Sequence, residues 1–412
     1  MKKFQALLIV LMISLIALVG VAVYADYKVS DKEITTKGTT TTDLVEEDST
    51  PEVTTEEPTE PEPTSTSVKL VAVGDILIHT PLLDEGLQED GSYDFKFLFE
   101  IMKSDFESAD IAVVNQESVL GGKELGYDGY PNFNSPDEVG DAIVDAGFDV
   151  VLHATNHAMD VRIEGVHNTI EYWKKKGDAI TMLGFNESAE ELCKPKYIER
   201  NGIKFAMFNY TYGLNGYVLP EGEEYRVNLL DDSNRELIVS EIHKAKEEAD
   251  FVIVFPHWGN EDWLGEPSDW QVNWANILTD AGADLIIGAH PHVLEKVEWI
   301  NTEAGNKSLC YYSVGNYISN QQELNEVLGG MATVTIIKDE NGTYIDEENT
   351  GMVPIVTQND RRGAKPLIQT YRLSDYTEEM AKIHDIYNRF DSTFSLERLT
   401  NTANEVLGDW IK

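Results

Sequence analysis

Several short apolar runs in this 412-residue chain are followed directly by side chains that can bind a metal ion. Histidine is scarce, with nine in the whole sequence, yet most of the histidines lie in these clusters. The clusters are Asp75 and His79 after Leu70–Val73, Asn115 and Glu117 after Ile111–Val114, Asn156 and His157 after Val150–Leu152, His257 after Phe251–Phe255, and His290 and His292 after Leu285–Ala289. Buried strands that deliver polar ligands to one edge of a sheet would produce this pattern.

The chemistry that these residue types favour is metal binding. His290 and His292 give the strongest single signal, because side chains two positions apart in an extended segment point the same way. Imidazole combined with carboxylate suits Zn, Mn or Fe, whereas Ca and Mg prefer oxygen ligands alone. Such a pocket could hold two ions about 4 Å apart, a pair that generates hydroxide at neutral pH and stabilises an in-line displacement. Each cluster alone also fits a structural role, as Gly74-Asp75 fits a turn.

The elements that would position these residues alternate short apolar strands with amphipathic helices from Val68 onward. Such alternation predicts an α/β sheet covered by helices. The predicted strands are Val68–Val73, Ile111–Val114, Asp149–Leu152, Ile180–Leu183, Lys204–Asn209, Phe251–Phe255, Asp284–Ile287 and Leu309–Ser313. Further on, Met331–Ile337 and Met352–Val356 are predicted as strands around a polar turn with Asn341-Gly342, and residues from about 378 to 412 are predicted to be helical.

Two helix starts have a recognisable capping sequence. Ser135-Pro136-Asp137-Glu138 combines an N-cap serine, a first-turn proline and a glutamate at the reciprocal capping position. Ser268-Asp269-Trp270-Gln271 repeats this arrangement. Gly147 and Gly282 are expected to end the two helices.

The N-terminal region predicts export. Lys2 and Lys3 precede the apolar stretch Ala6–Val23, which is just long enough to span a bilayer. The lysines predict a cytoplasmic N-terminus and an exported remainder. Because Val23-Tyr24-Ala25 also fits a cleavage site, residues 1–25 are predicted as either a signal-anchor or a cleaved signal peptide. The chain is therefore expected at the cell membrane as a single-pass protein with an extracytoplasmic domain, or secreted.

The amino-acid composition indicates a disordered segment and limits which partners and which kind of scaffold the chain can have. Residues 26–67 are rich in Thr, Glu, Pro and Ser and predict a disordered tether. The formal net charge of −41 excludes nucleic acid as a partner, because so acidic a surface repels it. Two cysteines, Cys193 and Cys310, are too few for a disulfide scaffold. A single bridge and two buried free thiols both remain open at this point.

The order of the motifs resembles the CapA (PgsA-like) capsule-synthesis family, which is associated with poly-γ-glutamate capsules in bacteria. The motifs are Gly74-Asp75, Asn115-x-Glu117, Ala154–Asp160, His257-Trp258-Gly259-x-Glu261, Gly288–His292 and Ser313-x-Gly315-Asn316. The resemblance covers roughly residues 68 to 320. It implies a four-layer α/β/β/α sandwich, similar to the calcineurin-like metallophosphoesterases, with a two-metal site. Residues 68–330 are assigned to this domain, and residues 331–412 to strands and helices that complete or flank its core.

The resemblance also implies a role for each motif residue. It makes metal ligands of Asp75, His79, Glu117, Asn156, His257, His290 and His292, with Glu117 at the position of the usual metal-bridging aspartate. His79 departs from the family pattern, since it stands farther from Asp75 than the usual Asp-x-His spacing. His157 would contact substrate or stabilise the leaving group.

Other residues are assigned around this set. Asp160 would orient His157, and Glu261 is either a general acid or base, or a solvated loop carboxylate. Asn115 stands where phosphoesterases have an aspartate and is expected to be a neighbour of the ligands or a weak ligand. His153 occupies a position expected to be small or hydroxylic, and Ser313 and Asn316 are expected to shape the pocket floor.

Three functions fit these predictions. The first is a membrane-tethered extracytoplasmic protein of poly-γ-glutamate capsule biosynthesis or anchoring, with a metal-dependent hydrolase-like site holding two divalent ions. The second is a secreted metal-dependent phosphoesterase. The third is a non-catalytic export or anchoring subunit. The expected partners are the membrane, a polyanionic polymer or phosphorylated substrate, and membrane-bound capsule-synthesis subunits.

Overall fold

The computed structural model describes residues 65–412. The predicted signal segment over residues 1–25 lies outside this range, as does the predicted tether up to residue 64. The first strand begins at Thr66, two positions before the start of the predicted domain at Val68. Between residues 65 and 412, no helix combines the length and the apolar character needed to cross a membrane.

Strands and helices alternate along most of the described chain. The strands are β1 (Thr66–Ile76), β2 (Ile111–Gln116), β3 (Val150–Leu152), β4 (Thr181–Leu183), β5 (Lys196–Arg200), β6 (Ile203–Thr211), β7 (Phe251–His257), β8 (Leu285–Ile287), β9 (Val297–Asn301), β10 (Lys307–Tyr311), β11 (Asn316–Ile318), β12 (Leu328–Asp339), β13 (Gly342–Ile345), β14 (Gly351–Asp360) and β15 (Leu367–Arg372). The helices are α1 (Thr80–Gly86), α2 (Lys103–Glu107), α3 (Asp137–Asp145), α4 (Arg162–Lys176), α5 (Arg235–Glu248), α6 (Asp269–Ala281), α7 (Leu324–Val327), α8 (Glu378–Ile383), α9 (Asp385–Arg389) and α10 (Leu396–Leu407).

These strands form two sheets, each with a parallel centre. The larger sheet has the order β15-β14-β12-β1-β2-β3-β4, with β11 paired to β1 and β13 paired to β12. The smaller sheet has the order β5-β6-β7-β8-β10-β9. Strands β1 to β4 are mutually parallel, and so are β6, β7, β8 and β10. Because parallel strands end at the same edge of a sheet, each sheet presents several carboxyl ends together.

The two sheets pack face to face, with helices on both outer faces. Side chains alternate between the two faces of a strand, so on β1 Leu70 points into the core between the sheets and Val71 points towards the helices. Helices α3 and α4 cover the outer face of the larger sheet, and α5 and α6 cover that of the smaller sheet. The layers are helix, sheet, sheet and helix, so the predicted four-layer α/β/β/α sandwich is confirmed.

The predicted strands are all present, but five further strands were not predicted. Strands β5, β9, β11, β13 and β15 were not expected. The turn at Asn341 is confirmed, and it joins β12 to β13 as an antiparallel hairpin. The predicted helical region after residue 378 consists of three separate helices, α8, α9 and α10.

One predicted helix cap is confirmed and the other is wrong. Ser268 caps α6 in a full capping box with Gln271. Helix α3 instead has Pro136 at its N-cap position and no side-chain cap. The reason is that Ser135 belongs to the preceding loop, where its N–H donates to the carbonyl oxygen of Val119 and its hydroxyl lies 2.7 Å from that of Ser118.

The two cysteines form no disulfide. Cys193 and Cys310 are both buried free thiols. Burial raises the pKa of Cys193 to about 12, which makes its thiol a poor nucleophile at neutral pH. Of the two alternatives left open by the sequence, the structure supports the second.

Candidate metal centre

The polar clusters meet where the parallel strands of the two sheets end. Asp75 lies near the end of β1, and its register partner on β2 is Asn115. The remaining residues follow the same rule, with Glu117 directly after β2, Asn156 and His157 in the loop after β3, His257 at the end of β7, and His290 and His292 in the loop after β8. All of these side chains are buried. The sheet topology therefore brings distant parts of the chain to one place.

A chain of contacts links Asp75 on one sheet to His257 on the other. The amide nitrogen of Asn115 donates to Asp75 Oδ1 at 2.6 Å and lies 3.3 Å from His257 Nδ1. His257 Nε2 is 2.8 Å from Asn156 Oδ1 and 3.4 Å from Glu117 Oε1. Both ring nitrogens of His257 therefore lie close to side-chain oxygen or nitrogen atoms of the cluster.

His292 lies between the two carboxylates of the site. Its Nδ1 is 3.2 Å from Asp75 Oδ2 and 3.9 Å from Glu117 Oε2. The same nitrogen is 3.0 Å from Asn316 Oδ1, a residue predicted to form the pocket floor. Ser313, also predicted there, donates its hydroxyl to the carbonyl oxygen of Val293 and so fixes the loop that carries His292.

His290 and His292 face one pocket, but their backbone is not extended as the sequence had suggested. Their φ angles are 97° and 61°, in the left-handed region that side chains rarely adopt. Such strain persists only where the surroundings impose it and is concentrated at functional sites. The His290 N–H donates to Asp75 Oδ2 at 3.1 Å, which ties this loop to the other sheet. Ligand atoms of Glu117, His290 and His292 all lie within 4.8 Å of one another.

Glu117 is fully buried, and its ionisation depends on the imidazoles around it. Burial opposes its charge, but His292 and His257 outweigh burial and hold the pKa of Glu117 well below its usual range. The reverse holds for His292, where burial opposes the charged form but Glu117 and Asp75 raise its pKa to about 10. Without a cation, the site is therefore expected to carry a proton on His292.

The donor set fits divalent metal ions. Both oxygens of Glu117, the Oδ1 of Asn115 and the Nδ1 of His290 are buried without a hydrogen-bond partner among residues 65–412. Buried polar atoms normally have a partner, so four orphaned atoms in one cluster need an explanation. Carboxylate and carboxamide oxygens with imidazole nitrogens are ligands for Zn, Mn or Fe. A bound cation would satisfy atoms that the protein itself leaves unpaired.

His157 lies beside this cluster and is held by Asp160. Its Nδ1 is 2.7 Å from Asp160 Oδ2, an oxygen that also accepts the N–H of Phe133 at 2.7 Å. Its Nε2 is 3.9 Å from Glu117 Oε1. Burial opposes protonation of His157, but the hydrogen bond to Asp160 and the charge of Glu117 raise its pKa above the ordinary value.

Two predicted site residues lie at the periphery of the cluster. His79 is half-buried, and its Nδ1 lies 3.2 Å from the carbonyl oxygen of Leu77 and 3.3 Å from the N–H of Asn320. Burial lowers the pKa of His79 to about 4, so its ring is neutral. Glu261 is exposed on the loop after β7. The structure therefore places neither of them among the buried, directly contacting ligands.

His153 lies outside the cluster. Its Nε2 accepts the indole N–H of Trp173 at 2.6 Å, and its ring stacks on Phe185. Burial lowers its pKa to about 3, so it is neutral and serves as a packing residue.

Tyr212 is a site residue that sequence reasoning missed. Its ring centroid is 4.6 Å from that of His290, and its N–H donates to the carbonyl oxygen of His257 at 3.0 Å. The signal that could have identified Tyr212 is its position directly after β6, the strand that pairs with β7. Tyr212 lies beyond the end of the predicted strand Lys204–Asn209, and its neighbours in the chain form no metal-ligand cluster, so the sequence pattern did not assign it to the site.

The four-layer sandwich, with histidines, carboxylates and carboxamides at its parallel strand ends, is a metallophosphoesterase-like fold. Residues 69–321 match the family described as "Bacterial capsule synthesis protein PGA_cap", and this chain belongs to that family. The family resemblance read from the motifs is therefore confirmed.

Two curated relatives carry capsule-related names. The "PGA biosynthesis protein CapA" of Bacillus subtilis (strain 168) is 34% identical over 179 residues, which cover 43% of this chain and 44% of the relative. The "Capsule biosynthesis protein CapA" of Bacillus anthracis is 29% identical over 195 residues, which cover 46% and 44%. The chain thus spans less than half the length of either relative.

Two of the solved structures that are similar to this chain come from other bacterial proteins. The calcineurin-like phosphoesterase YfkN from Bacillus subtilis has a TM-score of 0.39 at 12% identity, covering 82% of this chain and 99% of that one. A putative 5'-nucleotidase from Staphylococcus aureus has a TM-score of 0.41 at 14% identity, covering 70% and 54%.

Proposed function

We propose that this chain is a membrane-tethered, extracytoplasmic protein of poly-γ-glutamate capsule biosynthesis with a metal-dependent hydrolase-like site. The observation that carries the catalytic part is the buried carboxylate of Glu117, which faces His257 and His292 and has two unpaired oxygens among the described residues. Membership of the capsule-synthesis family supports the biological role.

The metal site is formed by residues from both sheets. Asp75, Glu117, Asn156, His257, His290 and His292 would hold two divalent ions of Mn, Zn or Fe. When bound, such ions polarise a substrate oxygen and stabilise the negative charge that develops on it. Because these side chains are buried, the chain also limits the access of bulk water to the reacting groups.

His157 is proposed as the general acid. Asp160 fixes one ring nitrogen, which leaves Nε2 directed towards the cluster and 3.9 Å from Glu117. Although burial opposes it, the hydrogen bond to Asp160 and the charge of Glu117 raise the pKa of this ring, which favours the protonated form that could donate to a leaving-group oxygen. Glu261, exposed on the neighbouring loop, would act at the substrate entrance rather than at the reacting bond.

Membrane tethering is proposed from the N-terminal sequence. Lys2, Lys3 and the apolar stretch Ala6–Val23 would anchor or export the chain, and the segment from residue 26 to the start of the folded domain at Thr66 would separate that domain from the bilayer. Membrane-bound capsule-synthesis subunits are proposed as neighbours. The formal net charge of −41 opposes simple capture of an anionic polymer, so bound cations would be needed where such a polymer meets the site.

The experiment is complementation of a deletion strain, with surface polymer as the readout. The parent chain and the exposed variant Asp178→Asn are expected to restore the polymer, and Asp75→Asn is expected not to. All three chains must be present in equal amounts by immunoblot. Restoration by Asp75→Asn would overturn the catalytic part and favour an anchoring or export subunit.

A second measurement separates this proposal from a general phosphoesterase. The purified full chain is assayed on an aryl phosphate with and without His290→Ala. Activity that collapses in this variant, together with unchanged surface polymer in the deletion strain, would overturn the capsule role and favour a secreted phosphoesterase.

A further inference from the structure

An open groove lies beside the histidine cluster and shares a wall with it. Its volume is about 690 Å³, within the range of roughly 300–1,000 Å³ that is typical of ligand pockets. Tyr212 lines the groove, and its ring also contacts that of His290. Gly259 and Asn260, which follow His257 and Trp258 in the chain, continue the lining. A molecule bound in this groove would therefore lie next to the proposed reacting groups.

The groove exposes several aromatic faces to solvent. Trp263 is 58% exposed, Trp270 is 39% exposed and Tyr212 is 37% exposed, and all three line the groove. The buried ring of Trp274 supports Trp270, with 5.9 Å between their centroids. Exposed apolar surface of this kind, rimmed by polar residues, is typical of a binding site. The rings offer flat faces on which another apolar face can stack.

The polar lining of the groove is acidic. Asp231, Asp232 and Asp269 line it, whereas no lysine or arginine of residues 65–412 does. Arg235 lies outside the lining and is 3.7 Å from Asp232. Carboxylates accept hydrogen bonds and donate none, and they repel anions. The groove therefore favours a ligand that is rich in hydrogen-bond donors and carries no negative charge.

We propose that this groove binds a neutral glycan segment. The C–H faces of sugar rings would stack on Trp263 and Trp270, and sugar hydroxyls would donate to the carboxylates. A polyglutamate chain or a nucleotide fits poorly, because both are anionic. A small cation fits less well, because these aromatic faces line an open groove and do not enclose a cage.

This inference names a substrate class for the proposed site, and only its link to the reaction rests on the proposed function. Because the acidic groove repels anions, the capsule polymer would meet the cluster outside the groove, while a sugar chain would occupy it. The glycan would then be part of the molecule that is cleaved, with water adding across the bond that breaks.

The test is calorimetric titration of the full chain, purified in detergent and freed of metal by chelation, with maltotetraose, cellotetraose and chitotetraose. At least one tetrasaccharide is expected to bind, with affinity at least tenfold weaker in Trp263→Ala and in Trp270→Ala. Trp263→Phe keeps an aromatic face and is expected to lose less affinity than Trp263→Ala. Phe390, also 58% exposed, provides the matched control, and Phe390→Ala is expected to bind like the parent.

Two results would overturn the inference. One is the absence of binding by all three sugars at millimolar concentration. The other is tighter, Trp263-dependent binding of γ-linked tetraglutamate or of tetralysine. Because the titration uses metal-free protein, its outcome does not depend on the metal site. If the sugars bind and Asp75→Asn nevertheless restores the capsule, this inference stands and only the proposed catalysis is overturned.

Discussion

Glu117 is the residue on which the chemistry of the cluster depends most. It is buried, and its two oxygens lack hydrogen-bond partners among residues 65–412. Burial opposes the charged form of His292, but the charge of Glu117, together with Asp75, raises the pKa of His292 to about 10. The residue types at this site could be predicted from the sequence, because each follows an apolar run. Their conformations could not, since the left-handed backbone of His290 and His292 is imposed by contacts with the opposite sheet.

At the residue scale, Asp160→Asn tests how His157 is controlled. Burial opposes the charged imidazole, and the Asp160 hydrogen bond is the largest of the contributions that together outweigh burial, so the pKa of His157 is expected to fall in the variant. An NMR titration of His157 in metal-free protein measures this change. Loss of such an outer contact is also expected to lower activity on the order of 10–100-fold.

The control for this experiment is Asp178→Asn, an exposed carboxylate on another part of the surface. It is expected to leave both the pKa of His157 and the activity unchanged. A parent-like pKa in Asp160→Asn would show that Asp160 does not govern the protonation of this ring.

At the scale of elements, strands that form apolar runs were predictable, and strands that lack such a run were not. Strand β7 is buried along its whole length and gives an unbroken apolar run. Strand β5 alternates exposed and less exposed residues, and only Ile198 is buried, so it resembles a loop in the sequence. The failed cap at Ser135 has a similar cause, because a tertiary contact with Ser118 decided its role.

Ser268→Ala tests the capping box of α6, the helix that borders the groove. The variant removes the acceptor of the Gln271 N–H. The free energy of unfolding is expected to fall by about 1 kcal/mol, the usual cost of losing such a cap. Urea unfolding followed by circular dichroism measures it, and the exposed Ser104→Ala serves as the control. Equal stability of Ser268→Ala and the parent would contradict the assignment.

At the scale of the whole molecule, the four layers follow from the strand and helix pattern together with the family resemblance. The sequence alone could not show which strands lie next to each other, because β1 pairs with both β2 and the distant β12. The groove beside the cluster was also beyond prediction, since its aromatic and acidic residues come from three separate loops and helix ends. Residues from separate segments become neighbours only when the chain folds and the two sheets pack together.

The pH dependence of overall stability provides a prediction at this scale. Burial raises the pKa of Glu295 from 4.5 to about 8, although Gln271 donates to it. Between these two pH values the folded protein holds a proton that the unfolded chain releases, so stability falls as pH rises through this window. Glu295→Gln removes this titration, and the variant is expected to gain stability relative to the parent, by on the order of a few kcal/mol above pH 8.

Urea unfolding at pH 5, 7 and 9 measures this difference. Other groups also titrate over this range, so the comparison is between variant and parent at each pH. The free energy of unfolding of the exposed variant Glu303→Gln is expected to change with pH as that of the parent does. A constant difference between Glu295→Gln and the parent would contradict the raised pKa of Glu295.

The central claim is that imidazoles and carboxylates from both sheets form one binding site for divalent ions. Calorimetric titration of the chelator-treated full chain with Mn²⁺ and Zn²⁺ tests it most directly. The parent and the exposed-histidine control His243→Ala are expected to bind two ions per chain. Glu117→Gln and His290→Ala, shown to be folded by circular dichroism, are expected to lose a site or at least tenfold in affinity. A parent chain that binds neither metal, or variants that bind both like the parent, would contradict the claim.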